Sequence, residues 1–189
     1  ALSSAFTILF LFWTITMLGR KFLSKYGEMD KGRQVILFGG AAVGALAYTW
    51  SDSFWFSAVE GEVYAMSSLF TAMAFWAILK WEQEVDRSHY AHRWLVFIAF
   101  LIGLSIGVHI LVFLTIPAIV MVYFYKVDPE INRGKFLLYN GIGIVILGAI
   151  FAVIIPFVLN MFGKVEIFMV NTLGMPFNSG TILTVLILG

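Results

Sequence analysis

"WLVFIAFLIGLSIGVHILVFLTIPAIVMVYFY", residues 94–125, runs for 32 residues without an Asp, Glu, Lys or Arg. A helix needs about 20 apolar residues to cross the hydrocarbon core of a bilayer. The run therefore reads either as one long tilted helix or as a hairpin of two short ones. Charge decides between them. If the chain turns near Gly107-Val108-His109, loops 19–34, 80–93 and 126–135 lie on one side and hold eleven of the twelve Lys and Arg residues. Only Lys164 falls on the other side. A single helix would carry the basic 126–135 loop across the membrane and break this pattern. Lys and Arg concentrate in cytoplasmic loops, so the hairpin is the expected form and those three loops are assigned to the cytoplasm.

The same reading extends to the whole chain. Hydrophobic residues make up 61% and charged residues 12%, against about 45–50% and about 25% in soluble domains. That excess specifies an integral membrane protein, expected in a bacterial inner membrane. Long apolar runs without alternation favour helices over a barrel. Runs at 1–18, 35–50, 63–79, the two halves of 94–125, 136–159 and a short last one predict an all-α polytopic bundle of about six to seven spans. The first residues lack an initiator Met and a basic leader, and the last are "GTILTVLILG". Residues 1–189 are therefore expected to be part of a single transmembrane domain, truncated at both ends. A net charge of +1 argues against nucleic acid, and the absence of cysteine excludes disulfides and thiolate metal sites. Gly40 and Gly44 in "GGAAVGALA", and Gly141, Gly143 and Gly148 in the later span, predict close helix contacts.

On the side away from the basic loops lies "SDSFWFSAVEGEVYAMSS", residues 51–68. Carboxylates near bilayer depth cost roughly 2.5–3.5 kcal/mol on insertion scales and are functional candidates. Asp52 reads either as the cap of a short helix or as part of a site. Glu60 and Glu62, two apart on a helix, point about 200° from one another. Glu60 would then lie over Tyr64 and Glu62 near Met66, with one facing a cavity and the other bracing a neighbour. A plainer reading makes both solvated residues of a helix's first turn. His109, at the expected hairpin tip, is read equally as hydrogen-bonded structure or as part of the same cavity. Residues 158–178 carry Asn160, Lys164 and Asn171 as a narrow polar stripe, which suits an interfacial helix or a plain connection. Asn178 or Ser179 is then expected to cap the last helix. No spacing reads as a metal site.

The stretches "ALSSAFTILFLFWTIT", "SDSFWFSAVEGEVYAMSSLFTAMAFWAILKWE" and "GLSIGVHILVFLTIPAIV" resemble the bacterial membrane family called protein O-mannosyltransferase-like. The resemblance covers nearly the whole chain. It implies a glycosyltransferase C-like fold and transfer of a sugar, mannose or similar, from a polyprenyl-phosphate donor to a hydroxyl acceptor such as protein Ser or Thr. It places the catalytic acidic residue in a first external loop, expected upstream of Ala1, so that this piece alone is expected to be inactive. It makes Asp52, Glu60, Glu62, Tyr64 and His109 candidates for the substrate cavity, and His109 and Lys164 candidates for the leaving phosphate. The implied partners are the bilayer, the polyprenyl-phosphate sugar and a protein or glycan acceptor. No metal and no further cofactor are implied. The competing classes are an ion-coupled transporter and a non-catalytic subunit of a membrane assembly.

Overall fold

The computed structural model describes residues 1–60, 63–128 and 130–188. Among them no strand occurs, and the chain is helical almost throughout. It divides into two compact units, Ala1–Gly143 and Ile144–Gly189.

In the first unit, α1 (Leu2–Leu23) and α2 (Lys31–Thr49) are followed by the short α3 (Asp52–Val59) and by α4 (Tyr64–Glu84). Next come α5 (Arg93–Ser105), a 3-10 segment (Ile110–Thr115), α6 (Ile116–Val127) and α7 (Arg133–Ala149), the last of which runs on past the unit's end. Asp30 starts α2 by accepting the backbone N–H of Arg33 at 2.7 Å, which satisfies one of the orphan donors of a helix N-terminus. Pro117 sits in the first turn of α6, where its missing N–H costs nothing.

Helix α4 is the centre of this unit and packs against α1, α5, the 3-10 segment and α6. Ala74, Ala77 and Ile78 are fully buried, and Trp81 nearly so. Alanine at 74 and 77 lets two neighbouring backbones come close, as small residues do in membrane helices. Ala77, Ile78 and Trp81 pack with Ala91 and Ile98, while Phe70 and Ala74 pack with Leu101 and Val112. Helix α2 turns Leu37, Ala41 and Ala45 inward, at i, i+4 and i+8. A side chain at Gly44 would approach Ile15 to 3.2 Å, and one at Gly19 would meet Leu37 at 2.6 Å. Gly40, expected to share the face of Gly44, meets nothing within 4 Å. The close contact in α7 is at Gly143, where a Cβ would lie 2.9 Å from Pro117, whereas Gly141 and Gly148 stand open.

The expected hairpin is present as a break in the helix. Helix α5 ends at Ser105, and His109 is extended and starts the 3-10 segment. Two ion pairs place the basic loops together, and a third closes the 80–93 loop on itself. Lys21 pairs with Glu82, Lys126 with Asp86, and Arg93 with Glu84 at 3.2 Å. Ends of α1, α4 and α6 thus meet at one end of the unit, as antiparallel short helices require.

In the second unit, a π-helical turn (Ile150–Ile154) leads into α8 (Ile155–Ile167), a second π-turn (Phe168–Thr172) and α9 (Ser179–Leu188). Pro156 explains the first π-turn: it has no N–H to offer, and its ring crowds the carbonyl four residues back, which a widened turn relieves. Residues 133–172 form one helical stretch of 40 residues, about twice what a crossing needs. The sequence led to a span ending near 159, followed by an interfacial helix or a plain connection. The helix does not break at 159: Asn160 and Lys164 continue it, because neither residue removes a backbone bond, and the plain connection does not occur there.

Among the described residues, three helices are long and apolar enough to cross a membrane, or four if the bent pair Lys31–Thr49 and Asp52–Val59 is one broken span. That is fewer than the six to seven expected. Helices α5 and α9 have only 13 and 10 residues, and α4 carries Ser67, Ser68, Thr71, Lys80, Glu82 and Glu84. A helix shielded by its neighbours does not need an apolar surface all round.

Candidate functional site

The end of the first unit opposite the ion pairs is built by the C-terminus of α2, all of α3, the first turn of α4 and the hairpin tip. Trp50 accepts no further helix, and Ser51 occupies the N-cap position of α3, so Asp52 lies in that helix's first turn instead of capping it. Asp52 is exposed, and its negative charge complements the positive end of the helix dipole. The Tyr48 and Phe54 rings, 4.6 Å apart, fasten α3 onto α2.

Glu60 is exposed and terminates α3 with an extended backbone (φ −69°, ψ 140°). Tyr64 begins α4. The extended backbone at Glu60 means that it and Tyr64 do not share one helix, and the expected stacking of Glu60 over Tyr64 at i,i+4 does not form. Glu62 lies outside the described residues. The carboxylates of Asp52 and Glu60 make no ion pair or hydrogen bond among the described residues.

Two sequence candidates do meet. The rings of Tyr64 and His109 lie 5.2 Å apart at 53°. His109 Nδ1 accepts the backbone N–H of Leu111 at 3.2 Å and so caps the 3-10 segment. With Nδ1 accepting, the ring proton sits on Nε2, which remains free to donate. His109 is thus both hydrogen-bonded structure and an available donor. Lys164 is exposed on α8 in the second unit. Glu166 on the same helix accepts the backbone N–H groups of Asn178 (2.6 Å) and Thr181 (2.8 Å) and the Thr181 hydroxyl (3.2 Å). This carboxylate caps α9, the role expected of Asn178 or Ser179. Asn178 itself has a positive φ of 70°.

Beside the Tyr64–His109 pair the structure holds a cavity of ≈ 360 Å³ that no sequence candidate anticipated. Its polar lining is made of hydroxyls: Thr7 and Thr14 from α1, Ser67, Ser68 and Thr71 from α4, and Tyr48 from α2. Leu11, Phe75 and Leu111 supply apolar wall, and Leu111 is the residue whose N–H His109 holds. Ser67 is 1% exposed, and its hydroxyl is buried without a partner among the described residues. A buried hydroxyl with no partner is costly, so its place on a cavity wall marks a position where a ligand's polar group or a water completes it. With no charged residue in its lining among the described residues, the cavity suits a neutral, multiply hydroxylated group bearing an apolar face. The signal was present in the sequence as Ser67-Ser68 followed by Thr71, and as Thr7 and Thr14 seven apart on one helical face.

Residues 1–132 match a family model described as "Protein O-mannosyl-transferase TMEM260 N-terminal domain". No curated protein and no solved structure matches the chain. The matched residues contain α1 through α6, and with them the hydroxyl-lined cavity, both rings of the Tyr64–His109 pair, Asp52 and Glu60.

Proposed function

Because the chain belongs to the family of the protein O-mannosyl-transferase TMEM260 N-terminal domain, we propose that it forms part of a membrane glycosyltransferase. The enzyme moves a sugar, mannose or a similar one, from polyprenyl phosphate to a hydroxyl acceptor such as a protein Ser or Thr. The single observation that carries this reading is the hydroxyl-lined cavity next to Tyr64 and His109, at the end away from the basic loops. In this reading the bundle is glycosyltransferase C-like, with α2, α4 and α5 also in the membrane and six to seven spans in all. Loops 19–34, 80–93 and 126–135 face the cytoplasm, of a bacterial inner membrane in the simplest case, and the cavity opens toward the opposite side.

The chemistry is an inverting displacement. A carboxylate removes the proton of the acceptor hydroxyl, the oxygen forms a bond to the anomeric carbon, and the bond from that carbon to the phosphate oxygen breaks. Polyprenyl phosphate leaves with the electron pair. General-base help of this kind is worth roughly 10²–10⁴-fold. Asp52, Glu60 and Glu62 supply carboxylates at this end to hold sugar or acceptor hydroxyls. In this reading His109 donates its Nε2–H to the leaving phosphate, and Lys164 is a second candidate donor for it. The hydroxyls of Ser67, Ser68 and Thr71 meet the sugar's own.

The test uses the whole protein in detergent, a labelled polyprenyl-phosphate mannose and a Ser/Thr-containing peptide. Transfer that falls in Glu60→Gln and in Ser67→Val, each with an unchanged melting curve, supports the reading. Absence of transfer from every sugar donor tried sinks it, and a transporter or an assembly subunit then becomes the better account.

A further inference from the structure

The end that carries the basic loops holds a cavity of its own, of ≈ 410 Å³, between α1, α4 and α6. Four cations line it: Arg20, Lys21, Arg87 and Lys126. Two are neutralised, Lys21 by Glu82 and Lys126 by Asp86. Those pairs tie α1 and α6 to α4 and so define the cavity's sides. They also occupy both carboxylates of the lining, which removes the groups that would repel an anion. Arg20 and Arg87 have no ion pair or side-chain hydrogen bond among the described residues, which leaves two unneutralised guanidinium groups at one opening. The remaining wall is formed by the polar Gln83 and the apolar Met17, Leu18 and Leu79.

We propose that this cavity binds the phosphate of an anionic phospholipid. A guanidinium presents a planar fork of donors that matches phosphate oxygens in pairs. The position fits a headgroup: Arg20 is where the apolar run of α1 gives way to its charged end, the level at which a bilayer changes from acyl chain to polar surface. Met17 and Leu18 lie less than one helical turn before Arg20 and give the acyl chains a surface that a soluble phosphate has no use for. The cytoplasmic leaflet is the anionic one, and basic pockets between membrane helices on that side suit its headgroups. This site is independent of glycosyl transfer, which the opposite end of the unit would perform.

The experiment is native mass spectrometry of the purified full chain with phosphatidylglycerol or phosphatidylcholine of matched acyl chains. Phosphatidylglycerol is expected to remain bound where phosphatidylcholine does not. The double variant R20Q/R87Q is expected to hold it ~30-fold more weakly, from about fivefold for each cation removed near a headgroup. R20K/R87K, which keeps charge and loses the fork, is expected to fall between. The control K25Q/R133Q removes two cations from the same end outside the cavity and is expected to bind as the unaltered chain does. Melting curves establish that each variant is folded. Equal retention of both lipids, or an equal loss in the control, overturns the proposal. Displacement of the lipid by excess inorganic phosphate assigns the ligand to a soluble phosphate and overturns the lipid as its source.

Discussion

The two ends of the first unit use charge in opposite ways. At the basic end most carboxylates are engaged: Glu82 with Lys21, Asp86 with Lys126, Glu84 with Arg93 and the Trp94 indole, and Asp128 with Lys135 and Tyr139. At the other end Asp52 and Glu60 are exposed and engaged with nothing among the described residues, next to a cavity with an unpartnered buried hydroxyl. Charge that is paired holds helices in register. Charge that is free near a membrane has to have a use, since it is expensive to keep there. The proposed function reads this difference as paired charge for structure at one end and free carboxylates for the proposed chemistry at the other.

The largest effect should come from hollowing the structural end. Trp81 is 1% exposed and stacks on Tyr123 with ring centroids 5.1 Å apart. Trp81→Ala is expected to cost about 3–5 kcal/mol of stability. Trp55→Ala, at the exposed end, should cost under about 0.5 kcal/mol. Denaturant titration in detergent measures both, and equal losses would erase the contrast.

Next in size is Glu60→Gln, expected to lower transfer on the order of 10²-fold while leaving denaturation unchanged. A variant that loses stability in step with transfer would make Glu60 a fastening residue like those of the basic end.

Acid should separate the ends as well. The Trp94 indole N–H at 2.8 Å, helped by Arg93, holds the Glu84 carboxyl below its usual range against some desolvation. A hydrogen bond from Lys135, then one from the Tyr139 hydroxyl at 2.5 Å, does the same for Asp128. Both are depressed carboxyls, so their stabilisation is complete above the ordinary carboxylate value and is lost as pH falls through the lowered one. Hydrogen exchange, corrected for its intrinsic rate, should therefore show loops 80–93 and 126–135 loosening only below about pH 4. Loosening of these loops near neutral pH would contradict the assignment.

The smallest effect belongs to single exposed pairs. Asp86→Asn should cost under about 1 kcal/mol, because Asp86 is 70% exposed and water replaces its partner cheaply.

Much of this contrast was legible in the sequence. The placement of Lys and Arg predicted that loops 19–34, 80–93 and 126–135 share an end, and the pairs of Lys21 with Glu82 and Lys126 with Asp86 join all three regions. The turn at Gly107 to His109 was legible for the same reason. Details that depend on local backbone were not. Nothing in "VEGEVY" announces that α3 stops at Val59, so Glu60 was laid out on the helix of Tyr64 although its own backbone is extended. Gly44 and Gly40 look alike in sequence, yet only Gly44 meets α1, because the rotation of α2 is set by Leu37, Ala41 and Ala45. The hydroxyl-lined cavity was missed because Ser and Thr in membrane helices commonly bond their own backbone, as Thr7 does to Ser3 at 2.9 Å. Only packing reveals that Ser67 has no such partner among the described residues.

The central claim is that these two ends lie on opposite sides of a membrane, with the free carboxylates outside. The chain contains no cysteine, so Ser53→Cys and His89→Cys each introduce a single thiol, one at each end and both at exposed positions. In sealed right-side-out vesicles, a membrane-impermeant maleimide should label Ser53→Cys at once and His89→Cys only after the vesicles are opened. Labelling of His89→Cys in intact vesicles, with Ser53→Cys protected, would put the carboxylates in the cytoplasm and contradict the account.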